Sequence, residues 1–265
     1  MAEDRIFKDG FIEKLRRSSL HYIDVFAYSV TDSTNTRAAE YAREQSPDKI
    51  TLFVADSQSA GRGRRGRSFD SPRGSGLYFS LLIPCDACEF NFTELTVRAA
   101  VAVRRAIFEI SGIETGIKWV NDIILGGKKV SGILAEAVTS ENSGAVEYAV
   151  LGIGINLKAR QFPEEITPIA TALETYAEGE IDRIGLLAEI IREILSFGDF
   201  SSVIEEYRRH CIAIGKTVLV AEFSGESYSA LALDITDTGA LRVLLDSGET
   251  RELVSAEVSV KIMNN

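Results

Sequence analysis

The sequence predicts an α/β (α+β) protein in two parts, a mixed-sheet domain over residues 1–214 and a small β-barrel over residues 215–265. Three observations lead there. The 265 residues are 45% hydrophobic, enough for one large core with a small appendage, because the buried fraction grows with chain length. Up to residue 214, apolar runs of strand character alternate with stretches at helical spacing. From Gly215 onward only short β runs remain, broken by Gly and Asp turns.

Each element has its own signal. HYIDVFAYSV (21–30) reads as a first strand, and TDSTNTRAAEYAREQ (31–45) as a cap and short helix ending near Pro47. ITLFVADSQ (50–58) is a second β run, and GLYFSLLIP (76–84) another, stopped by Pro84. FTELTVRAAVAVRRAIFEI (92–110) sets Leu95, Ala99, Val103, Ala106 and Ile110 on one helical face, and Gly112 ends it. IKWVNDIILGGKKVSGILAEA (117–137) predicts one hairpin about Gly126-Gly127, which supply the positive φ of a two-residue turn. In that register Leu125 faces Lys128, Ile124 faces Lys129, Asp122 and Lys129 share a side, and Lys118 lies farther back on the strand of Asp122. YAVLGIGINL (148–157) is a further strand, and two helices follow at about 182–197 and 201–214. TVLVAEF (217–223), SYSALALDI (227–235), ALRVLLD (240–246) and SAEVSVKI (255–262) are the strands of the small domain.

The bulk chemistry excludes several classes. No apolar run reaches the ~20 residues that span a bilayer, and the opening MAEDRIFKDG has no secretory apolar stretch. The expectation is a cytoplasmic protein with no membrane partner. Three cysteines, Cys85, Cys88 and Cys211, are too few and too uneven for a disulfide framework. CDAC (85–88) has metal-ligand spacing and His210-Cys211 could complete a zinc site, but that second half has no spaced pair of its own, so reduced thiols are preferred and no zinc is expected. His21 and His210 have no triad context. A net charge of −10 gives no support to nucleic-acid binding.

Against that acidic background, Arg62, Arg64, Arg65, Arg67 and Arg73 crowd into thirteen residues with Asp70 the only acid. GRGRRG (61–66) formally matches a dinucleotide fingerprint, but RSFDSPRGSG behind it cannot continue as the helix that motif needs, and no GK[ST] closes a P-loop. What remains is an arginine loop able to close over a carboxylate or phosphate, or else a solvated surface loop, which charge alone does not decide. Lys118, Asp122 and Lys129 offer either an anion and cation site or an exposed cross-strand ion pair. Gly152 and Gly154 leave one side of their strand bare, with Asn156 on that side, either as a ligand floor or for close helix packing. Ser33, Thr34 and Asn35 are helix-capping types that also suit a polar ligand head.

The order of these pieces is more specific than any one of them. STN (33–35), Gln58, GRGRRGR (61–67), KWVND (118–122), KKVSGIL (128–134) and GIGIN (152–156), taken together, resemble the biotin protein ligases over most of the chain. The resemblance implies a catalytic domain of the biotin/lipoate ligase type followed by an SH3-like barrel. It implies ATP-dependent adenylation of biotin and transfer of biotin to a lysine of a biotin carboxyl carrier protein or domain. It also implies the roles of residues. Ser33, Thr34, Asn35 and Gln58 would hold the ureido ring. Arg62, Gly63 and Arg64 would close over the tail and carboxylate, and Lys129 would bridge that carboxylate and the α-phosphate. Arg64, Arg67 and Lys118 would steady phosphates, Phe69 would cover the adenine, and Asn121 with Asp122 would organise Mg²⁺. Gly132, Gly154 and Asn156 would shape the pocket, Asn156 on the adenylate side. Catalysis is expected of Lys129, Asp122 and Arg64.

Two positions depart from the pattern. Val120 stands where many relatives have proline, which is expected to loosen the turn, and Phe69 stands where tryptophan is common, which weakens stacking. The nearest rival is a lipoate or octanoate ligase of the same fold, against which the GRGRRGR loop argues. A rival of another class is a biotin-sensing DNA-binding regulator. With only about 20 residues before the first strand there is no room for a helix-turn-helix, so a monofunctional ligase is expected. The sequence leaves open the oligomeric state, a homodimer included.

Overall fold

The computed structural model describes residues 13, 23–85, 91–196, 198–222, 225–254 and 258–263. His21, Cys88 and the first three residues of the SAEVSVKI run lie outside the described residues, as do the opening residues, so those expectations are not addressed.

The first part of the chain builds a seven-stranded sheet in the order β1-β2-β3-β7-β6-β5-β4. Its strands are β1 (Asp24–Tyr28), β2 (Thr51–Ala55), β3 (Gly76–Pro84), β4 (Gly116–Lys118), β5 (Asp122–Leu125), β6 (Lys128–Thr139) and β7 (Val146–Asn156). Among the described strands β1 and β2 pair in parallel, joined by the crossover helix α1 (Thr34–Gln45), while the other strand pairs of the sheet are antiparallel, so the sheet is mixed as expected. α2 (Phe92–Ser111), α3 (Arg183–Ser196) and α4 (Phe200–His210) also belong to this part.

The sheet has two covered faces, and the side-chain alternation of each strand assigns them. Leu52, Val54, Leu77, Phe79, Leu81, Leu151, Ile153 and Ile155 join the main core with α2, α3 and α4. Phe53, Leu82, Val138, Tyr148 and Val150 form a smaller core with Ala38 and Ala42 of α1. Helix α1 is short, so it covers only part of its face. Asn91 caps α2 by accepting from the amides of Thr93 and Glu94, and Gly112 ends it at φ 67°. Leu95, Ala99, Val103 and Ala106 are buried on α2 as expected, whereas Ile110, in the last turn, is 37% exposed.

Three elements differ from expectation. Residues 117–137 form two hairpins, not one: the chain reverses over 119–121, and Lys118 lies on its own strand β4 directly opposite Asp122. The second helix after the glycine-rich strand stops at His210, because the Ile212 amide donates to the Ile117 carbonyl at 2.9 Å and the chain joins the sheet edge there. The small domain gains an unanticipated strand, β11. That domain is a five-stranded antiparallel sheet in the order β11-β10-β9-β8-β12, from β8 (Thr217–Glu222), β9 (Ser227–Ile235), β10 (Leu241–Leu245), β11 (Thr250–Leu253) and β12 (Val258–Ile262). Its apolar side merges with the main core through Val218, Val220, Ala230 and Ala232.

Candidate functional site

Beyond the N-terminal end of α1, its face of the sheet opens into a cleft that is partly open to solvent. The strands make the room. Along β7 the α1 face carries Tyr148 and Val150 under the helix, then Gly152 and Gly154, where side chains cease. The gaps are used by neighbours: a Cβ on Gly152 would sit 2.0 Å from Asn35 Oδ1, and one on Gly154 would sit 2.6 Å from the ring of Phe69. Gly154 lies opposite Gly132 on β6, so both strands contribute a bare floor. The first turn of α1 points at this cleft with Ser33, Thr34 and Asn35 in its lining.

At that end the polar groups hold one another. Gln58 Oε1 accepts from the Thr34 amide at 2.8 Å, and Gln58 Nε2 donates to Ser71 Oγ at 3.0 Å. Ser80 Oγ lies 2.7 Å from Thr34 Oγ1 and 2.6 Å from Asn35 Oδ1. Asn35 Nδ2 donates to Glu136 Oε2 at 2.8 Å. Ser33, although at the helix start, makes no side-chain cap bond; the Asp32 carboxylate accepts its amide instead, at 2.7 Å. The result is a buried hydrogen-bonding floor with donors and acceptors at fixed places, suited to a flat polar ring.

The arginine loop folds back as a narrow hairpin. Phe69 N–H donates to the Gly61 carbonyl at 2.8 Å, Gly63 N–H to the Arg67 carbonyl at 2.7 Å, and the tip turns through positive φ at Arg65 and Gly66. Arg62 reaches Glu136 at 2.7 Å, and Arg64 Nη1 donates to Asn121 Oδ1 at 3.3 Å, so Arg62, Gly63 and Arg64 all line the cleft. Burial, aided by Arg65, pushes the Arg64 guanidinium below its ordinary value, with Asp122 opposing. A bound anion favours the charged form of a desolvated guanidinium.

Opposite the loop, Ile124 pairs with Lys129 and Leu125 with Lys128 about Gly126 (φ 56°) and Gly127 (φ 78°), the register that the sequence predicts. A β-bulge then shifts the ladder so that Asp122 faces Gly132. The extra residue turns Lys129 and Gly132 to the same side although three positions separate them. Lys129 Nζ therefore stands in the cleft 2.6 Å from Asp122 Oδ1 and 5.9 Å from the centroid of Phe69. The backbone of Lys129 is clamped on its other edge, its amide donating to the Ile169 carbonyl and its carbonyl accepting from Thr171. Lys118, directly across from Asp122, has its ammonium pushed down by burial, with Asp122 opposing and Lys129, Arg67 and Lys261 adding to the depression. Several cations thus share one carboxylate.

The cleft gathers Ser33, Thr34, Asn35, Gln58, Arg62, Gly63, Arg64, Phe69, Asn121, Lys129, Gly132 and Gly154. Asp122 stands behind Lys129, and Lys118 behind Asp122. Arg67 is exposed and does not line the cleft, and Asn156 lies beyond the glycines with Nδ2 donating to the Thr171 carbonyl at 3.0 Å, which ties the 157–172 segment to β7. The expected loosening at Val120 is not found: Val120 is 1% exposed, its carbonyl accepts from Tyr207, and the Trp119 indole donates to the Gly239 carbonyl at 2.9 Å. Sequence reasoning missed Ser80 and Glu136. Alternation from Gly132 through Leu134 puts Glu136 on the cleft side, and the same count along β3 puts Ser80 there. Among the described residues, no group of three His, Cys, Asp or Glu side chains could hold a metal ion, and Cys85 and Cys211 stand outside any disulfide.

Residues 27–156 match the Biotin/lipoate A/B protein ligase family, and residues 213–261 the Biotin protein ligase C terminal domain. The Bifunctional ligase/repressor BirA of Bacillus subtilis is 36% identical over 88% of this chain and 73% of its own length. The Biotin--[acetyl-CoA-carboxylase] ligase of Mycobacterium tuberculosis is 31% identical over 90% of this chain and 88% of its own. Among solved structures, the biotin protein ligase from Aquifex aeolicus in complex with biotin and ATP superposes with a TM-score of 0.76 at 29% identity, covering 91% of this chain and 99% of that one. Fold, cleft and relatives agree, and the chain belongs to the biotin protein ligase family.

Proposed function

We propose that this chain adenylates biotin with ATP and passes the biotinyl group to a lysine of a biotin carboxyl carrier protein or domain in the cytoplasm. The observation that carries this reading is the convergence, in one cleft, of a fixed hydrogen-bonding floor with the cations Arg62, Arg64 and Lys129. The floor takes the ureido ring through Ser33, Thr34, Asn35 and Gln58. The cations take the carboxylate at the other end of the valeryl tail. A dithiolane ring or a plain acyl chain has no ring carbonyl or N–H to use the hydrogen-bonding capacity that floor leaves open, which disfavours lipoate or octanoate.

A carboxylate is a weak electrophile until AMP is attached to it. One carboxylate oxygen attacks the α-phosphorus, pyrophosphate leaves with the electron pair of the broken P–O bond, and a mixed anhydride forms. Lys129 and Arg64 stand where negative charge gathers at the α-phosphate, and fixed cations in a partly dry site stabilise it without reorganisation. Phe69, resting on Gly132 and Gly154, is placed to slide against the adenine. Asp122 next to the Asn121 amide is a single carboxylate, which fits a Mg²⁺ that takes most of its ligands from phosphate and water. That ion would supply further charge neutralisation on the phosphates. The arginine hairpin then keeps water from the anhydride until the carrier amine attacks the acyl carbon and AMP departs. We take Gly215, at φ 77°, as the junction of the catalytic domain with the small β domain.

The test is mass spectrometry of a biotin carboxyl carrier domain incubated with the protein, biotin and MgATP. A gain of one biotin per carrier supports the reading, and an unmodified carrier overturns it.

A further inference from the structure

The carboxylate of Glu136 belongs to neither the floor nor the flap yet touches both. It projects from β6 on the cleft side, four pairs along from Gly132, with its side chain 28% exposed. Oε2 accepts from Asn35 Nδ2 at 2.8 Å, and Oε1 accepts from Arg62 Nη2 at 2.7 Å. A carboxylate can only accept, so it dictates which end of the Asn35 amide faces it. Ser80 dictates the other end.

Counting protons shows how tightly. Thr34 and Ser80 own one hydroxyl proton each, yet three short contacts link Gln58 Oε1, Thr34 Oγ1, Ser80 Oγ and Asn35 Oδ1, at 3.2, 2.7 and 2.6 Å. The amide oxygens at both ends cannot donate. Thr34 gives its proton to Gln58 Oε1, and Ser80 shares its own between Thr34 Oγ1 and Asn35 Oδ1. Gln58 Oε1 also accepts from the Thr34 amide at 2.8 Å, one bond for each lone pair. Asn35 then has its oxygen committed to Ser80, one N–H committed to Glu136, and its second N–H left to meet an acceptor such as a ring carbonyl, while Thr34 Oγ1 keeps a lone pair for a ring N–H.

We propose that Glu136 is a positioning residue for the acid substrate: one carboxylate oxygen holds the Asn35 amide in its working orientation, and the other holds the flap over the cleft through Arg62. The inference rests on the biotin reading and adds to it a residue that links ring recognition to flap position. Replacing the carboxylate by an amide of the same shape removes both demands, because a glutamine can present an N–H to Asn35 and has no charge to hold Arg62.

The experiment compares wild type with Glu136→Gln by titration calorimetry with biotin and with ATP, by trypsin cleavage at the flap arginines, and by thermal melting. Expected are a rise of about tenfold in the Kd for biotin, a Kd for ATP within twofold of wild type, faster cleavage in the flap and an unchanged Tm. Arg62→Ala, which leaves the Asn35 contact intact, reproduces the faster cleavage with a smaller loss of biotin affinity. A biotin Kd within twofold in Glu136→Gln overturns the inference, and so does an equal loss for ATP, which would mean a general disturbance of the fold. Wild-type protein that does not bind biotin defeats the ligase reading and this inference together, whereas wild-type binding beside an unaffected variant defeats the inference alone.

Discussion

The ammonium of Lys129 stands 2.6 Å from the carboxylate of Asp122, and each comes from one strand of the same hairpin. Both side chains are partly exposed, at 33% and 22%, so as a stabilising pair they contribute about 1 kcal/mol or less. Their value lies in placement. Asp122 keeps the lysine extended toward the ligand, and an arriving carboxylate or phosphate exchanges for it at little cost. Lys129→Ala is expected to lower biotin-dependent ATP–pyrophosphate exchange by a factor on the order of 10² or more, the usual scale for losing one fixed charge-stabilising donor. Exchange that survives the substitution would remove Lys129 from the adenylation step.

Arg64 differs from Lys129 in what it holds. It spans from the flap to Asn121 at 3.3 Å, so it fastens the lid as well as neutralising phosphate. Arg64→Ala should let the adenylate escape before a carrier arrives. In single-turnover experiments with no carrier, the variant should still form biotinyl-AMP but release it into solution several-fold faster than wild type. Retention at the wild-type rate would argue against a closing role.

Phe69 rests on Gly154 so closely that an added methyl there would come within 2.6 Å of its ring. Gly154→Ala must push the ring away, with an overpacking cost of about 1–3 kcal/mol. Phe69→Ala removes the ring outright, and stacking on a base is worth about 1–3 kcal/mol. Both variants should weaken ATP binding about tenfold while leaving biotin affinity within a few-fold. Phe69→Trp should tighten ATP. Calorimetry with each ligand separates these outcomes, and unchanged ATP affinity in Phe69→Ala would displace the ring from its adenine role.

Much of this site was legible because it is written in local chemistry. The Gly126-Gly127 turn fixes the register that carries Lys129, and the bare glycines of β7 mark the floor before any neighbour is known. What stayed hidden depends on partners distant in sequence. The separate strand β4 exists because the chain reverses at Trp119 and Val120, and those residues are anchored by Gly239 and Tyr207, more than eighty positions away. The bulge that brings Lys129 and Gly132 to one side has no sequence marker. Glu136 reads as an ordinary charged residue near the end of a strand until Asn35 and Arg62 arrive from elsewhere in the chain.

His210 offers a test of the electrostatics outside the cleft. It ends α4 beside Arg104, Glu206, Glu114 and Arg209, and burial, followed by Arg104, lowers its pKa below the ordinary 6.5 while the two glutamates oppose. A lowered histidine binds fewer protons folded than unfolded, so stability rises with pH between the folded value and 6.5. The penalty is absent well above 6.5, appears as the pH falls through it, and is complete below the folded value. His210→Asn cannot titrate. Urea midpoints measured from about pH 8 down to about pH 5 should therefore fall less steeply in the variant, the two curves running parallel at the alkaline end and converging below 6.5. Equal slopes throughout that acidic window would show that the histidine takes up its proton as readily in the fold as in the open chain.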